Sequence, residues 1–296
     1  MFRKISVKVA VLVNAILLVV IALGTVFLVR QQNAKLDQQY KAQAQYVSMV
    51  GAKTIGRLIE DAIDNGVFSV RDAFDTEYVE IPTFDPPKFH TRYDFYTDKS
   101  FLSLEDEFLK NSSIVYAVAV DMNGYLPTHN SRYQKPITGD REKDKVGNRT
   151  KRIFNDPVGI TAAKNQQEGF IQVYKRDTGE TMWDVSSPIL VKGKQWGNFR
   201  IGLSIKAIEE AKMSLLLTLG SIMFLILVIS TIAILYTVKY ILQPLTSFTL
   251  IASRMADGEV DEKIVATSND EIGELAEVLE RMRVSLKSAM DRLMKK

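Results

Sequence analysis

The 296-residue sequence contains no cysteine and only two histidines, His90 and His129. Without cysteine the chain has no disulfides, no thiolate metal ligands and no covalently attached c-type haem, which requires a Cys-x-x-Cys-His motif. The spacing of the two histidines matches no metal-ligand pattern, so we expect a structural hydrogen-bonding role for His129. Noncovalent haem on His129 stays open as an alternative, and the prediction is that no cofactor or metal is bound.

Signatures of common enzymes are also missing. The chain has no Gly-rich phosphate loop with Lys-Ser/Thr, no Gly-x-Ser-x-Gly elbow, no His-Glu-x-x-His and no kinase or cyclase motif. Charge is nearly balanced: the net charge is +3, and residues 31–212 carry equal numbers of basic and acidic side chains. We therefore expect no catalysis and no nucleic-acid partner.

Two long uncharged runs stand out, at residues 9–29 and 213–238. An α-helix rises about 1.5 Å per residue and the hydrocarbon core of a bilayer is about 30 Å thick, so each run is long enough to span. Tyr236 and Tyr240 lie where an interfacial aromatic belt is expected. The sequence predicts two transmembrane helices and hence a lipid bilayer as partner.

Each run has a less specific interpretation. The first follows Arg3, Lys4 and Lys8, as the apolar part of a cleaved signal peptide would, but it is longer than usual and lacks an Ala-x-Ala-like cleavage site. The second could be a buried core helix, although 26 uncharged residues are rarely found inside a soluble domain. Two uncleaved spans are therefore the better interpretation.

The basic N-terminal tail predicts the orientation, because short positively charged flanks stay in the cytoplasm. Both termini are then cytoplasmic and the protein lies in the inner (plasma) membrane, with its middle part periplasmic or extracellular. The predicted segments are a tail at 1–8, a first span at 9–29, an extracytoplasmic domain at 30–212, a second span at 213–238 and a cytoplasmic region at 239–296.

The extracytoplasmic domain begins with a helical pattern. Apolar residues between positions 36 and 62 recur at steps of three and four, which predicts a long helix at 31–65 that continues the first span. Residues 75–100 contain three prolines and are predicted to be an irregular loop. Ser103 is predicted to cap a short helix at 103–111.

The remainder of this domain is rich in strand signals. The apolar, β-branched run at 114–120 predicts one strand, and three more follow at 170–175, 182–191 and 196–204. Turns at Asp177-Thr178-Gly179 and Lys192-Gly193 would join these three as hairpins. The pattern predicts an α+β fold with a PAS-like core at about 112–206.

After the second span, two apolar seams have the 3.5-residue period of a coiled coil. They consist of Ile241, Leu245, Phe248, Ala252 and Met255, and of Ile272, Leu275, Leu279, Met282, Leu286, Ala289 and Leu293. Gly258 is predicted to end the first helix, and Ser268 to Glu271 fit a capping box for the second. A connector of a dozen residues is long enough for the second helix to lie parallel to the first.

This region resembles the HAMP linker of bacterial chemoreceptors and sensor kinases. The matching features are Pro244 after the span, Gly258-x-Val260 with Ile264, and Asp270-Glu271-Ile272-Gly273-x-Leu275. The resemblance implies a homodimer in which two chains form a parallel four-helix bundle; a generic amphipathic hairpin is the alternative. It also implies that the relay residues are Pro244, Gly258, Val260, Ile264, Glu271, Ile272 and Gly273.

Two of these relay residues also have simpler interpretations. Pro244 removes a backbone donor and so loosens the junction between span and bundle, or it is merely a helix-start proline. Glu271 contacts the first helix, or it is a solvated acid in a first helical turn.

Residues 116–203 resemble the periplasmic Cache-like sensor of certain methyl-accepting chemotaxis proteins. The similarity lies in 116–130, 147–154, 174–180 and 196–202. Donors, charges and aromatic rings suited to a small polar or anionic ligand are Tyr125, His129, Asn130, Arg149, Arg152, Tyr174, Trp183, Asp184 and Arg200. For any one of them, a surface ion pair or a place in the core is the competing interpretation.

These features favour transmembrane signal transduction, in which a small extracytoplasmic ligand acts through a HAMP coiled coil, as in a chemoreceptor. No output domain follows the second seam, so the chain is either part of a longer receptor or the partner of a full-length chemoreceptor or kinase. The alternative is a membrane-anchored ligand-binding or assembly protein that partners such a receptor without signalling. A redox sensor with noncovalent haem is a third hypothesis.

Overall fold

The structure, a computed structural model, describes residues 5–176 and 179–294. Its helices are α1 (Ile5–Asp64), α2 (Val70–Ala73), α3 (Asp94–Ser100), α4 (Leu102–Phe108), α5 (Arg141–Gly147), α6 (Pro157–Lys164), α7 (Ile205–Ala256) and α8 (Glu271–Met294). Its strands are β1 (Val79–Ile81), β2 (Lys88–His90), β3 (Ile114–Asp121), β4 (Tyr125–Leu126), β5 (Arg152–Ile153), β6 (Phe170–Lys175), β7 (Thr181–Val191) and β8 (Lys194–Ser204). The chain divides into two compact units, Val29–Leu217 and Met1–Leu28 with Thr218–Lys296, which are described separately.

The unit Val29–Leu217 is built around a four-stranded antiparallel sheet of order β3-β8-β7-β6. Lys192 and Gly193 connect β7 to β8 with positive φ angles of 49° and 77°, as a tight hairpin turn of the primed type requires. Asp177 and Thr178 of the other predicted turn lie outside the described residues. The predicted α+β fold class is confirmed.

The two faces of this sheet pack against different partners, because successive side chains of a strand point to opposite sides. On one face Ala117, Val185, Phe199 and Ile201 form the main core together with Ile55 of α1. On the other face a smaller cluster contains Tyr116, Val118 and Val120 of β3, Tyr174 of β6 and Met182 of β7. The sheet thus separates the α1 face from the face that carries α6.

Helix α1 approaches the sheet closely at Gly51. A Cβ atom at this position would lie 2.2 Å from the ring of Phe199, far inside van der Waals contact. Ser48, one turn earlier, shares a hydrogen bond of 2.8 Å with Ser187 of β7. The predicted long helix at 31–65 therefore corresponds to the second half of α1, which ends one residue earlier at Asp64 and rests directly on the sheet.

The segment before the sheet corrects two predictions. Residues 75–100 are not one irregular loop, because β1 and β2 pair within them and α3 follows. Ser103 is not a helix cap, since α4 begins at Leu102 and Phe101 occupies the preceding position. The physical reason is that α4 continues from the last turn of α3 through Phe101, so no extended residue is available at Ser103.

The unit formed by Met1–Leu28 and Thr218–Lys296 contains parts of α1 and α7 and all of α8. By length and composition α1 and α7 each contain a segment apolar enough to cross a membrane, and neither apolar segment is buried. The two segments share a polar contact, in which the Thr231 hydroxyl donates to the Asn14 carbonyl oxygen at 2.8 Å. Interhelical bonds of this kind stabilise helix pairs in lipid by about 0.6 kcal/mol on average.

Helix α7 continues through Pro244 and ends at Ala256, so Pro244 is an interior proline and not a helix-start residue. Gly258 then takes a φ of 94°, the left-handed conformation that stops a helix. Helix α8 begins at Glu271, and the Asp270 carboxylate accepts hydrogen bonds from the N–H groups of Ile272 and Gly273. The predicted capping box with Ser268 as cap is therefore wrong, because Asp270 directly precedes the first helical residue.

Candidate functional site

A cavity of about 30 Å³ lies on the α6 face of the sheet, large enough for one or two water molecules. Its apolar walls come from Val118, Val120, Leu126 and Phe154. Its polar lining consists of Tyr116, His129, Arg149, Tyr174, Arg176 and Arg200. We call this space the sensor cavity.

A buried ion pair forms the floor of the sensor cavity. Arg200 of β8 donates through Nε and Nη2 to the two oxygens of Asp184 on β7, at 3.1 and 3.0 Å. The hydroxyl of Tyr116 and the amide of Gln172 donate to the same carboxylate at 2.6 and 2.8 Å. Burial alone would lower the pKa of Arg200, but the charge of Asp184 outweighs it and raises that pKa. Arg200 therefore stays charged in this site.

His129 is buried among aromatic rings and cations. Its ring centroid lies 4.6 Å from that of Tyr133, and its Nδ1 atom has no hydrogen-bond partner among the described residues. Burial first, and then the positive charges of Arg149, Arg176 and Arg152, hold the pKa of His129 well below its ordinary value of 6.5. His129 is consequently a neutral imidazole that can accept or donate one hydrogen bond.

The guanidinium of Arg176 completes this side of the sensor cavity. It lies 5.0 Å from the ring centroid of Tyr133 and pairs with Glu180 at 3.1 Å. Arg149 and Arg152 flank Phe154, with guanidinium carbons 4.8 and 5.0 Å from the centroid of its ring. Cationic groups thus surround a small space with apolar walls.

Several predicted ligand residues meet in the sensor cavity. His129, Arg149, Tyr174 and Arg200 line it directly. Asp184 lies behind Arg200, and Arg152 stacks on Phe154 at the rim. Asn130 has a structural contact, since its side-chain oxygen accepts from the backbone N–H of Ala117 at 3.0 Å.

Two predicted ligand residues lie elsewhere. Tyr125 packs in the main core and its hydroxyl donates to Asp94 at 2.8 Å. Trp183 packs against the same core, with the ammonium of Lys41 4.4 Å from the centroid of its ring. Both side chains belong to the main core, because each is one residue out of step with a neighbour in the cluster on the other face, Leu126 or Met182.

The sequence reasoning missed Tyr116, Phe154 and Arg176. The signal for Tyr116 was present, because positions 116, 118 and 120 of β3 share one face. Arg176 follows the last residue of β6, where alternation no longer specifies a direction.

A second candidate site is the relay formed by α7, the connector and α8. Ile264 of the connector is buried against Met255 of α7 and Ala276 of α8. The backbone carbonyl of Val260 accepts from Arg283 at 2.7 Å, and the N–H of Ile264 donates to Glu280 at 2.9 Å. Both predicted connector anchors therefore hold α8.

The direction of the connector fixes the direction of α8. Gly258, at its start, lies near Met290, close to the C-terminal end of α8, whereas Ser268, near its end, contacts Gly273 in the first turn. The connector thus runs antiparallel to α8, and α8 runs parallel to α7. A Cβ atom at Gly273 would lie 1.9 Å from the carbonyl oxygen of Ser268, so glycine permits this close approach.

Much of the apolar seam of this unit is exposed in the single chain. Ile241 of α7 and Leu275, Met282 and Leu286 of α8 are exposed, while Leu279 packs inside. Ile272, Pro244 and Phe248 line a groove of about 530 Å³ between α7 and the connector. Glu271 is solvent-exposed in the first turn of α8.

Comparison with known proteins identifies the relay. Residues 236–288 match the family model of the HAMP domain. The crystal structure of the E. coli DcuS sensor domain is similar over 38% of this chain and 72% of that one, with 16% sequence identity and a TM-score of 0.27, a likeness too slight to carry an argument. A search of curated proteins returned no match.

A HAMP region thus follows the second of two candidate membrane helices, and an α+β domain lies between those helices. These features support the class of HAMP-containing transmembrane sensors, which act in signal transduction.

Proposed function

We propose that the chain is a chemoreceptor-like transmembrane sensor, in which a small ligand in the sensor cavity changes the packing of a HAMP homodimer. The observation that carries this proposal is the continuity of α1 and α7. Each helix extends without a break from the α+β domain into the unit that contains the candidate spans and the relay. A shift at the sheet can reach the relay through these helices with no flexible linker in between.

The chemistry of the sensor cavity favours a small polar or anionic ligand. Arg149, Arg176 and Arg200 are buried around it, and neutral His129 offers one further hydrogen bond. Guanidinium groups bind carboxylates and phosphates through paired, charge-assisted hydrogen bonds. Because the cavity measures about 30 Å³, the ligand must either be very small or displace side chains as it enters. The proposal includes no cofactor.

A cavity-filling substitution tests the ligand site. Val118→Phe adds a ring at an apolar wall of the sensor cavity without changing any charge, and Val173→Phe is the matched control at an exposed position of the same sheet. We expect a metabolite screen of the detergent-solubilised protein to find a ligand that raises the unfolding temperature, and Val118→Phe to lose at least tenfold in affinity while Val173→Phe does not. Equal affinity in both variants would place the ligand elsewhere.

The homodimer is supported by the exposed seam. Leu275, Met282 and Leu286 form an apolar stripe on α8, and contiguous exposed stripes of this kind mark interaction surfaces. A second copy of the same parallel helix pair would cover the stripe by knobs-into-holes packing. Placement in the inner membrane with both termini cytoplasmic belongs to the same proposal, since the relay must face cytoplasmic partners.

Cross-linking tests the dimer and its response together, and the absence of native cysteine makes single-cysteine variants unambiguous. We expect Met282→Cys and Leu286→Cys to form disulfide-linked dimers in membranes, and Glu277→Cys, which points away from the seam, to do so far more slowly. Ligand should change the ratio of the 282 and 286 cross-linking rates by at least twofold. Efficient cross-linking at rates that ligand binding does not change would instead favour a membrane-anchored assembly protein. Neither function includes a catalytic step in this proposal.

A further inference from the structure

A second cavity lies in the α+β domain, separate from the sensor cavity. It measures about 140 Å³ and is enclosed by the β1–β2 loop on one side and by residues 137–148 on the other. Phe84, Pro86 and Ile137 give it apolar walls, and Lys88 and Asp144 are its two buried charged groups. No residue lines both cavities.

Lys88 carries a buried charge that no carboxylate contacts directly; the nearest opposite charge of its cavity, Asp144, acts on it only from beyond ion-pair distance. Its side chain is 6% exposed, and its ammonium donates to the side-chain oxygen of Asn148 at 2.6 Å and to the carbonyl of Thr150 at 2.5 Å. Both acceptors are neutral, and among the described residues Lys88 forms no ion pair with a carboxylate. An ammonium has three N–H groups, so one remains after these two bonds.

The surroundings of Lys88 favour negative charge. Burial, and after it the positive charges of Arg152 and Lys151, lower the pKa of Lys88 to about 8, because together they outweigh the opposing attraction of Asp144. Buried charges are normally paired, because an isolated one in an apolar environment is strongly unfavourable. An anion in contact with Lys88 would supply the direct ion pair that Asp144 does not make and would raise this pKa.

The remaining charged groups of this cavity limit the anion to one negative charge. Asp85 pairs with Arg141 at 3.1 Å. Asp144 accepts hydrogen bonds from the N–H groups of Thr138 and Gly139, both at 2.9 Å, so its pKa is lowered and it stays ionised. Two fixed carboxylates in the wall oppose a dianion, and the apolar walls suit a short hydrocarbon body.

We infer that the Lys88 cavity is a second ligand site, which binds a short-chain monocarboxylate through the ammonium of Lys88. The carboxylate takes the third N–H of Lys88, and the hydrocarbon lies against Phe84, Pro86 and Ile137. Asn148 lines this cavity while Arg149, the next residue, lines the sensor cavity. This inference does not depend on the proposed signalling role.

Propionate is the probe, tested by isothermal titration calorimetry on the full chain in detergent. We expect saturable binding of propionate, and at least tenfold weaker binding of the neutral isostere propionamide and of the dianion succinate. Lys88→Met should weaken propionate binding at least tenfold, whereas Lys110→Met, at an exposed lysine of the same domain, should not. Affinity should also fall as the pH rises above about 8, because Lys88 then loses its charge.

A second variant separates lost binding from lost folding. Ile137→Trp fills the cavity from a partly exposed wall position and leaves Lys88 in place, so it should also abolish propionate binding. Val118→Phe, in the sensor cavity, should leave propionate binding unchanged. The inference is overturned if wild-type protein does not bind propionate saturably, if Ile137→Trp binds it normally, or if only Val118→Phe abolishes binding.

Discussion

Asp184→Asn is expected to destabilise the α+β domain by about 3–5 kcal/mol, because it leaves the buried guanidinium of Arg200 without a counter-ion. Asp184 is fully buried, and four donor atoms converge on its carboxylate from Arg200, Tyr116 and Gln172. An amide is nearly isosteric, but it removes the charge and replaces one acceptor with a donor. Urea unfolding of the full chain in detergent measures the loss, and tryptophan fluorescence reports on this domain because Trp183 and Trp196 are the only tryptophans in the chain.

Two further variants test whether the charge is the cause. Glu168→Gln breaks the exposed pair with Lys53 and should cost less than about 1 kcal/mol. Asp184→Leu combined with Arg200→Met removes both buried charges, so the double variant should be more stable than Asp184→Asn. If Asp184→Asn costs no more than Glu168→Gln, the ion pair does not hold the floor of the sensor cavity.

The elements with strong periodicity were predictable from the sequence. The apolar, β-branched run at 114–120 and the hairpin at Lys192-Gly193 correspond to β3 and the β7–β8 turn, because strand composition and turn chemistry agree there. The steps of three and four between positions 36 and 62 likewise lie within α1. Where the hydrophobic periodicity and the residues that end an element agree, local sequence preferences specify that helix or strand without information from tertiary contacts.

Short elements were not predictable. Strands β1 and β2 have three residues each, and their loop contains the prolines that suggested irregular structure. Three residues provide too little alternation to identify a strand.

The sequence predicted several residues of the candidate site, but not how their side chains are arranged. His129, Arg149, Tyr174 and Arg200 do meet in the sensor cavity, whereas Tyr125 does not. Tyr125 belongs to a two-residue strand, and a shift of one residue moves a side chain to the opposite face. The sequence does not show which face each residue of this strand points to, so it could not predict whether Tyr125 or Leu126 lines the sensor cavity.

Glu105→Gln is expected to stabilise the α+β domain increasingly as the pH rises above about 4.5, the ordinary pKa of this side chain. Glu105 is fully buried in α4; one carboxyl oxygen accepts from the N–H of Ala119 at 3.0 Å, and the other has no partner among the described residues. Burial raises the pKa of Glu105 well above its ordinary value, more than the bond from Ala119 lowers it. The folded protein therefore keeps a proton that the unfolded chain releases.

The sign of the pH dependence follows from this difference in proton binding. The stability associated with protonated Glu105 is fully present below the unfolded pKa of 4.5 and is lost as the pH rises toward the raised pKa of the folded state. Across that window the wild type should lose up to about 1.4 kcal/mol per pH unit relative to Glu105→Gln, which has no proton to lose. Glutamine keeps an oxygen for Ala119, so the variant should fold in the same way.

The comparison uses urea midpoints measured by tryptophan fluorescence at several pH values from 5 to 9. Subtracting the wild-type curve from that of Glu105→Gln cancels the contributions of the titrating groups that both proteins share. Glu107→Gln is the matched control, because Glu107 is an exposed acid on the same helix that pairs with Lys110. Its curve should run parallel to that of the wild type. If the curve of Glu105→Gln also ran parallel to that of the wild type, Glu105 would already be ionised in the folded protein. The prediction of a buried, protonated carboxylic acid beside β3 would then be wrong.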